Sequence, residues 1–470
     1  MLAGLATSGA AMVFSFISLV HTPTAVQAEE MSAAEEMLEI LRKMDAVDQE
    51  KYQKLKAKIA AEKEQEAKLV KAIEKSADSI NVTWKNGPRF ATEDGNFQFG
   101  FSGRIHQQVG YISNNDEIED AFDTDDNFRS FIRRARLGVN GKVYDQFGFK
   151  AEYDFAGGDV NFADVFLEAY KVPFTGTITV GHFKEPLSVD EMTSTNNNWF
   201  IERSQANEEF YQGRDSGIKI QNLALDKRFG YALALMTDVD NAGNGPFNNN
   251  NSRLVGRIWG LPFSKEEVGD LHLGLSYRHL ELSDNEDSPN TQRYRSRPET
   301  QVTNVRYVDT GIFSADSTDL VVAELAWAKD RWNAVAEYFL QDVNLDEGDD
   351  PTFWGAYGLV SYFLTDDKRA YNVSSGGFSS VRPKNPFTLE GKGTGAWEIA
   401  TRYSYLDLDD EDFDGGKQGI LTVGLNWYPV DMFSFMLDYS YVSVDDRTVN
   451  GIDLDNETAH VVQSRFQVAF

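Results

Sequence analysis

The 470-residue chain contains no cysteine, and after residue 30 it has no long uncharged apolar run. The first absence excludes a disulfide scaffold, a thiolate zinc site and a cysteine nucleophile. The second excludes a membrane-spanning helix, which needs about 20 consecutive apolar residues. Membrane-spanning strands are not excluded, because each strand of a transmembrane barrel is half polar and hardly raises the mean hydropathy.

Basic residues are scarce relative to acids: 45 Lys and Arg stand against 74 Asp and Glu, a net charge of -29. Most of such a surface would repel a polyphosphate chain, so nucleic acid is excluded as a partner. The acids are concentrated in three runs, at 116–126, 346–350 and 407–414. Their position between alternating segments indicates solvated loops, with divalent-cation sites as the open alternative.

The N-terminal part of the chain differs in composition from the rest. No Lys or Arg precedes Arg42, yet an apolar run and the small residue Ala28 predict a signal peptide at 1–28, with an amphipathic or buried N-terminal helix as the alternative. Residues 29–78 are rich in Ala, Glu and Lys and lack Gly and Pro, which predicts a periplasmic helix that forms a short coiled coil or stands alone. Residues 79–86 are the predicted linker.

From residue 87 to 470 the apolar pattern has a period of two. Leu271, Leu273 and Leu275, for example, alternate with polar residues such as His272, and the chain ends on the aromatic Phe470, a membrane-assembly signal. At roughly 24 residues per strand and connection, this segment predicts about 16 strands. The predicted fold is therefore an all-β, 16-stranded antiparallel outer-membrane barrel, preceded by the helical segment.

A barrel of this width encloses a watery channel unless loops fold into it. Successive side chains of a strand point alternately to lipid and to the lumen, and we call the side on which a residue falls its strand parity. By strand parity, six arginines point into the lumen: Arg104, Arg134, Arg136, Arg253, Arg257 and Arg278. Arg133 has outward parity, which requires an interfacial position or a local β-bulge. Guanidinium groups bind phosphate and carboxylate oxygens, so the pattern favours an anion-preferring channel. Pairing with wall carboxylates such as Glu152 and Glu398 is the alternative.

Seven segments resemble the phosphate-selective porin O and P family. In chain order they are FIRRARLGV at 131–139, KAEYDF at 150–155, VGHFKEP at 180–186, FIER at 200–203, GAWEI at 395–399, RYS at 402–404 and GLNWYP at 424–429. The resemblance implies a homotrimer of 16-stranded barrels in the Gram-negative outer membrane, with a third loop folded into the constriction.

The resemblance also implies which residues line the pathway. The family's arginine row falls on Arg104, Arg133, Arg134, Arg253, Arg257 and Arg278. Its constriction loop falls on 187–199, which contains no base and includes Asp190, Glu191, Asn196, Asn197 and Asn198. The segment 341–350, where the resemblance places lysines of the outer mouth, is acidic.

We therefore expect a passive porin for small hydrophilic solutes, with an anion or phosphate preference, in the Gram-negative outer membrane. None of the six histidines lies in a nucleophile or zinc-protease motif, so we expect no enzyme, catalytic residue, metal or cofactor. The expected partners are further copies of the chain, membrane lipid and lipopolysaccharide, small anions, and peptidoglycan or another periplasmic contact through 29–78. A general or cation-tolerant porin and an envelope-tethering protein are the alternative functions.

Overall fold

The structure, a computed structural model, describes residues 37–38, 40, 42–44, 48–77, 80–85, 87–245, 251–283, 290–410 and 412–470. The predicted signal peptide lies outside these residues. The chain divides into two compact units, Met1–Ser79 and Ile80–Phe470.

The first unit contains the helix α1, Gln49–Ala77. Ala, Glu and Lys lose little conformational freedom in a helix, which explains why this segment is helical. Glu64 and Lys68, one turn apart, form an exposed ion pair of 2.8 Å. No helix in the described ranges is long and apolar enough to cross a bilayer. The predicted helix is confirmed, and its assembly into a coiled coil stays a prediction.

The second unit is a closed barrel of sixteen antiparallel strands, as the alternation predicts. The strands are β1 (Phe97–Asn114), β2 (Asn127–Val143), β3 (Phe147–Asp154), β4 (Asn161–Val172), β5 (Gly176–Lys184), β6 (Arg214–Ala224), β7 (Phe229–Thr237), β8 (Ser252–Lys265), β9 (Gly269–Glu281), β10 (Phe313–Lys329), β11 (Trp332–Leu345), β12 (Thr352–Phe363), β13 (Ala396–Asp410), β14 (Phe413–Val430), β15 (Phe433–Asp445) and β16 (Glu457–Ala469). The barrel closes where β16 pairs with β1, from Ala459 opposite Asn114 to Ala469 opposite Arg104.

Shorter elements lie outside this ring of strands. Three helices follow α1: α2 (Asp116–Phe122), α3 (Val189–Met192) and α4 (Gln205–Phe210). The remaining strands are Ile80–Trp84, Pro88–Thr92, Thr291–Gln292, Arg295–Ser296, Val308–Asp309, Tyr371–Asn372, Gly377–Phe378, Arg447–Val449 and Ile452–Leu454.

We call the end of the barrel where β1 begins and β16 ends the lower rim, and the opposite end the upper rim. Most connections are short, but three are long and contact the inner wall of the barrel. The segment 185–213 and the described part of 282–312 enter from the upper rim, and 364–395 enters from the lower rim. These three segments determine how much of the lumen is left for a solute.

The outer wall is apolar, as a surface in contact with lipid must be. On β9, Leu273, Leu275 and Tyr277 point outward and are exposed, whereas His272 and Arg278 point inward and are buried. The inner wall is not uniformly polar. On β10, Leu320 and Val322 face inward and are buried against the loops, so this part of the barrel is apolar on both faces.

The lower rim is completed by both ends of the second unit. Strands Ile80–Trp84 and Pro88–Thr92 form a hairpin where a linker is predicted, and its second strand pairs with β1, Arg89 opposite Gly100. The backbone of Phe470 exchanges two hydrogen bonds with Gly103, at 2.8 and 2.9 Å, and its ring lies 6.5 Å from that of Trp84. Phe470 therefore extends the hydrogen-bonded pairing of β16 with β1 that closes the barrel. Its role as an assembly signal stays a prediction.

Candidate functional site in the barrel lumen

Arg133 and Arg134 lie at a β-bulge. The register pairs His106 with Arg134 but Gln107 with Ile132, so Arg133 is an extra residue on β2. A bulge of this kind lets two successive side chains leave from the same face of a strand. Arg133 accordingly reaches into the lumen, where its Nε and Nη2 donate to the two carboxylate oxygens of Glu202 at 3.1 and 3.2 Å.

The neighbouring arginines share one carboxylate. Arg104 of β1 and Arg136 of β2 each lie 3.3 Å from an oxygen of Glu152, and Lys150 lies 3.4 Å from the same group. Arg136 also pairs with Asp154 at 2.7 Å. The side chains of Arg104, Arg133 and Arg136 remain 14%, 25% and 13% exposed, so water and small solutes reach them.

Arg134 differs from these neighbours because its guanidinium has no hydrogen bond or ion pair within the described part of the chain, and its Nε is buried without an acceptor. Beside it, His106 hydrogen-bonds through Nε2 to Asn196 at 3.1 Å and leaves Nδ1 without a partner. A buried guanidinium without a counter-ion is unfavourable unless an anion or water meets it. The acid whose charge acts on Arg134, Glu202, is already hydrogen-bonded to Arg133 and Arg465, so positive charge is only partly compensated here.

Arg465 on β16 is a lumen residue that the sequence reasoning missed. It lies opposite Gln108 of β1, and its Nη2 donates to the backbone carbonyl of Ile201 and, at 3.2 Å, to Glu202. Its Nε and Nη1 have no hydrogen-bond partner among the residues that the structure describes. The signal was present in the sequence, since Arg465 alternates with the outward residues Ser464 and Phe466.

A second missed group lies in the described part of 282–312, at the upper mouth. Arg297 donates to the side-chain oxygen of Gln301 at 3.1 Å, and Arg129 donates to the backbone carbonyl of the same residue at 3.0 Å. Arg295 is exposed and Arg306 half-buried, and the guanidinium group of neither forms an ion pair among the described residues. The backbone N–H of Arg295 donates to Glu209 at 2.6 Å. Strand parity does not apply to a loop, so no signal in the sequence predicted that these arginines face the mouth.

Three of the six predicted pathway arginines are enclosed on the other side of the barrel. The side chains of Arg253, Arg257 and Arg278 are at most 1% exposed. Arg257 donates to Glu324 at 2.7 to 3.2 Å and to the carbonyls of Ser375 and Gly376 at 2.8 Å. The structure therefore does not bring these three residues together with Arg104, Arg133 and Arg134 on one accessible surface.

Arg253 and Arg278 are held in the same way. Arg253 pairs with Asp215, and with Asp238 at 3.3 Å. Arg278 donates to the carbonyl of Phe210 at 2.7 Å and to Gln341 at 3.0 Å, and it lies 3.5 Å from Glu185. In these positions the guanidinium groups attach the inward segments to the wall.

The acids of the predicted constriction loop point into the loop itself. Glu191 pairs with Lys184 at 2.7 Å and Arg203 at 3.0 Å, and Asp190 lies 3.9 Å from Arg203. Burial raises the pKa of Asp190. Burial also opposes ionisation of Glu191, but Arg203 and Lys184 hold the pKa of this carboxyl below its usual range. Asp190 and Glu191 therefore present little uncompensated negative charge to a solute.

The start of this loop is anchored by a carboxylate of the wall. Glu337 of β11 accepts hydrogen bonds from Ser188 Oγ at 2.9 Å and from the backbone N–H of Val189 at 2.7 Å, at the beginning of α3. Anions are favoured at helix N-termini, where backbone N–H groups lack partners.

The amide-rich tip of the loop contacts the wall beside Arg134. Thr195 accepts from Arg104 at 3.2 Å, and the carbonyl of Asn196 accepts from Gln467 at 2.9 Å. The carbonyl of Asn197 accepts from Arg369, and Asn198 is buried. Asn196 therefore hydrogen-bonds to His106, which is the register partner of Arg134.

The segment that enters from the lower rim meets the constriction loop. Arg369 stacks on Trp199, 4.7 Å from the ring centroid, and pairs with Glu398 at 2.6 Å. Phe378 packs against the same indole at 4.9 Å, and its backbone N–H donates to Thr193 at 3.0 Å. The two inward segments thus form one buried cluster against β8–β13.

Below the arginines, a cavity of about 730 Å³ opens between the N-terminal hairpin and strands β1–β4. Its lining includes the bases Lys85, Arg89, Lys142 and Lys150 and the acid Glu168. A Cβ on Gly100 would lie 2.5 Å from the Arg89 side chain, so this glycine leaves the space through which Arg89 reaches Asn140. Basic groups thus continue along β1–β4 to the lower mouth.

The accessible part of the lumen is lined by fixed guanidinium and ammonium groups and can hold small anions by hydrogen bonding without covalent chemistry. In the described ranges, no group of three or more His, Asp or Glu side chains is placed to bind a metal ion. A closed barrel with an apolar exterior and a charged interior defines a transmembrane pore of the porin class.

Comparison with known proteins gives the family. The family model described as "Phosphate-selective porin O and P" matches residues 99–470, so the chain belongs to this family and is an outer-membrane porin for passive diffusion. An uncharacterized protein of Caulobacter vibrioides is 31% identical over 372 residues, which cover 78% of this chain and 72% of that one. Porin O of Pseudomonas aeruginosa is 23% identical over 417 residues, covering 80% and 90%.

Solved porins are also similar. The anion-selective porin from Comamonas acidovorans is 12% identical, and the match covers 80% of this chain and 100% of that one with a TM-score of 0.49. OmpT of Vibrio cholerae, solved in a trimer form, is 11% identical, and the match covers 80% and 99% with a TM-score of 0.49.

Proposed function

We propose that this porin prefers small inorganic anions, phosphate among them, and that the anions pass along the inner faces of β1–β6, which we call the open wall. The observation that carries the proposal is Arg134, whose guanidinium forms no ion pair among the described residues and lies beside His106 and the half-buried Arg104 and Arg133. Arginine stays charged at any relevant pH, so the field at this point does not depend on protonation.

The distribution of bases along the open wall supports the same direction of selectivity. Arg295, Arg297 and Arg306 stand at the upper mouth, Arg104, Arg133 and Arg134 at mid-height, and Arg89 and Lys142 at the lower mouth. A row of charges of one sign replaces part of the hydration that an anion loses in a narrow passage. The acids of the constriction loop, paired with Lys184 and Arg203, do not oppose this row.

Phosphate fits this lining because it accepts several hydrogen bonds in the planar, forked geometry that guanidinium groups offer. We also propose that three copies of the chain associate. The helical segment before the barrel, which contains α1, is the candidate for a periplasmic contact.

The test of the anion preference is the reversal potential of single channels in a planar bilayer under a potassium chloride gradient. Replacing Arg134 with Gln should lower the chloride-to-potassium permeability ratio about fivefold, because one unit charge at 4 Å in water-like surroundings is worth ~1 kcal/mol. Phosphate should block chloride current in the natural protein and block it less in Arg134→Gln.

The matched control is Arg331→Gln, which removes an arginine from a turn of the lower rim where its side chain is 39% exposed. This change should leave the reversal potential where it was. A cation-selective natural protein would contradict the proposal and favour the general or cation-tolerant porin.

A further inference from the structure

A groove of about 700 Å³ lies on the outer wall of β7–β9 and reaches the lower rim. Its floor is Gly260 of β8, whose register neighbours are Phe229 of β7 and Leu273 of β9. Because glycine has no side chain, the side chains of these two neighbours stand above the floor as walls. Ile258, the next outward residue of β8, continues the groove toward the middle of the barrel.

The upper part of the groove is apolar and as deep as one leaflet. Ile258, Leu273 and Leu275 line it, and each side chain is about half exposed. β9 begins at Gly269, six residues below Leu275. At about 3.3 Å per residue and a strand tilt of about 40°, these six residues rise by about 15 Å. This height is half of a hydrocarbon core of about 30 Å.

The lower end of the groove carries two opposite charges. Asp226 and Arg228 belong to the turn between β6 and β7, and both line the groove. Neither side chain forms an ion pair among the described residues. A carboxylate and a guanidinium are therefore placed at the rim end of an apolar channel, and both are open to a ligand.

A β-bulge holds Arg228 at this end. The register of β8 and β9 shifts between Gly260 and Phe263, so Leu261 and Pro262 lie outside the regular pairing. Arg228 donates to the carbonyl of Leu261 at 3.2 and 3.0 Å and to that of Pro262 at 2.8 Å. The backbone N–H of Leu261 donates to the Arg228 carbonyl at 2.8 Å, so main chain and side chain fix the same arginine.

Another groove on the outer wall lacks such a charged end. Its volume is about 850 Å³, it is lined in part by Phe387, Trp397, Trp427 and Phe466, and none of its described lining residues is charged. Apolar surface alone therefore does not distinguish the groove on β7–β9, whereas the pair Asp226 and Arg228 does.

A molecule with an acyl chain and a zwitterionic headgroup matches both parts of the groove. Its phosphate accepts hydrogen bonds from a guanidinium, and a primary ammonium donates to a carboxylate. Acyl chains are in apolar surroundings with or without the groove, so contacts of the headgroup must supply the selectivity. The turns on both sides of the groove are short, as turns are at the periplasmic end of outer-membrane barrels.

We propose that the outer wall of β7–β9 binds one phospholipid in the leaflet at the lower rim, with an acyl chain in the groove, the phosphate on Arg228 and the ammonium of an ethanolamine headgroup on Asp226. The inference rests neither on the anion preference nor on the self-association proposed above.

The first test is lipid binding to the detergent-solubilised barrel, counted by native mass spectrometry. One phosphatidylethanolamine should bind with a dissociation constant about tenfold below that of phosphatidylglycerol, which has no ammonium, because one lost charge-assisted hydrogen bond corresponds to roughly that factor. Asp226→Asn should abolish this preference. Arg228→Gln should weaken the binding of both lipids by about the same factor.

The matched control is Asp330→Asn, in the turn between β10 and β11 at the same rim. Asp226 and Asp330 both have left-handed backbone, with φ of 54° and 51°, a conformation that asparagine also adopts. Only Asp226→Asn should therefore change the lipid preference. Equal binding of the two lipids to the natural protein would overturn the proposal, since any acyl chain would then fill the groove.

The second test uses the absence of cysteine from the chain, which makes any introduced thiol unique. Ile258→Cys in the groove and Val360→Cys on the outer face of β12, where the natural side chains are 49% and 44% exposed, are labelled with a maleimide in lipid-free detergent. Phosphatidylethanolamine at ten times its dissociation constant should slow labelling of Ile258→Cys about tenfold and leave Val360→Cys unchanged.

Two results of the labelling experiment would overturn the proposal. Labelling of Ile258→Cys that is slow without lipid would show that a protein surface covers the groove. A labelling rate that phosphatidylethanolamine leaves unchanged would show that the lipid does not occupy it.

Discussion

The two sides of the lumen carry the same kind of residue and use it differently. On the open wall, Arg104 and Arg133 are 14% and 25% exposed and share carboxylates with other bases. On the inner faces of β8–β13, which we call the sealed wall, Arg257 is 1% exposed and is fully satisfied by Glu324 and two backbone carbonyls. The position of an arginine on an inward face therefore does not by itself define its role.

The difference arises from what lies opposite each wall. The inward side of β10 and β11 carries Leu320, Val322 and Phe339, and the inward segments cover these apolar residues with Trp199 and Phe210. Burial of this apolar surface stabilises the loops against the wall. A guanidinium within that cluster must be paired, whereas one on the polar open wall can remain available to a solute.

The largest expected effect is a loss of unfolding free energy when an ion pair of the sealed wall is broken. Glu324→Gln leaves Arg257 buried with a neutral partner, and breaking a buried ion pair costs about 3–5 kcal/mol. Denaturant unfolding of the detergent-solubilised barrel, followed by tryptophan fluorescence, should show this loss. Glu152→Gln on the open wall is the comparison and should cost less, about 1–3 kcal/mol. Glu152 is itself buried, but Arg136 keeps Asp154, Lys150 keeps Asp164 and Arg104 keeps Thr195. Equal losses would remove the distinction between the two walls.

The second prediction concerns conduction. Glu152→Gln removes the carboxylate shared by Arg104, Arg136 and Lys150, so the open wall becomes more positive. The chloride-to-potassium permeability ratio should rise about fivefold, by the ~1 kcal/mol that one charge is worth at 4 Å in water. Asp366→Asn, on an exposed turn of the lower rim, is the matched control and should leave the ratio unchanged. An unchanged ratio would show that solutes do not pass this carboxylate.

Alternation along the strands was sufficient to predict the barrel, because lipid and lumen impose opposite polarity on successive residues. The alternation also left two possibilities for Arg133, an interfacial position or a local β-bulge. The structure has the β-bulge, opposite His106 and Gln107. Parity failed to distinguish the two walls. On β10, residues on both faces are apolar, and only the loops packed inside reveal which surface is dry.

The contents of the lumen depend on contacts distant in sequence, which no local pattern encodes. Arg369 meets Trp199 across 170 residues of chain, and Arg402 meets Glu299 across more than 100. Arg295, Arg297 and Arg306 of the upper mouth follow β9, whereas the family resemblance directed attention to 341–350, the first half of which forms the end of β11. A charged residue in a loop can be assigned to the lumen only when the path of that loop is known.

The smallest expected effect is the response to salt, and it separates the half-buried Arg104 and Arg133 of the open wall from the buried Arg134. The distance over which charges act falls from about 10 Å at 0.1 M salt to about 3 Å at 1 M, so long-range attraction by Arg104 and Arg133 should decline across this range. Contact with the less exposed Arg134 should persist, because buried charges are screened much less. The anion preference should therefore fall to a residual value in the natural protein and to none in Arg134→Gln, measured as reversal potentials at a fixed concentration ratio. A preference that disappears equally in both proteins would assign the selectivity to the mouth alone.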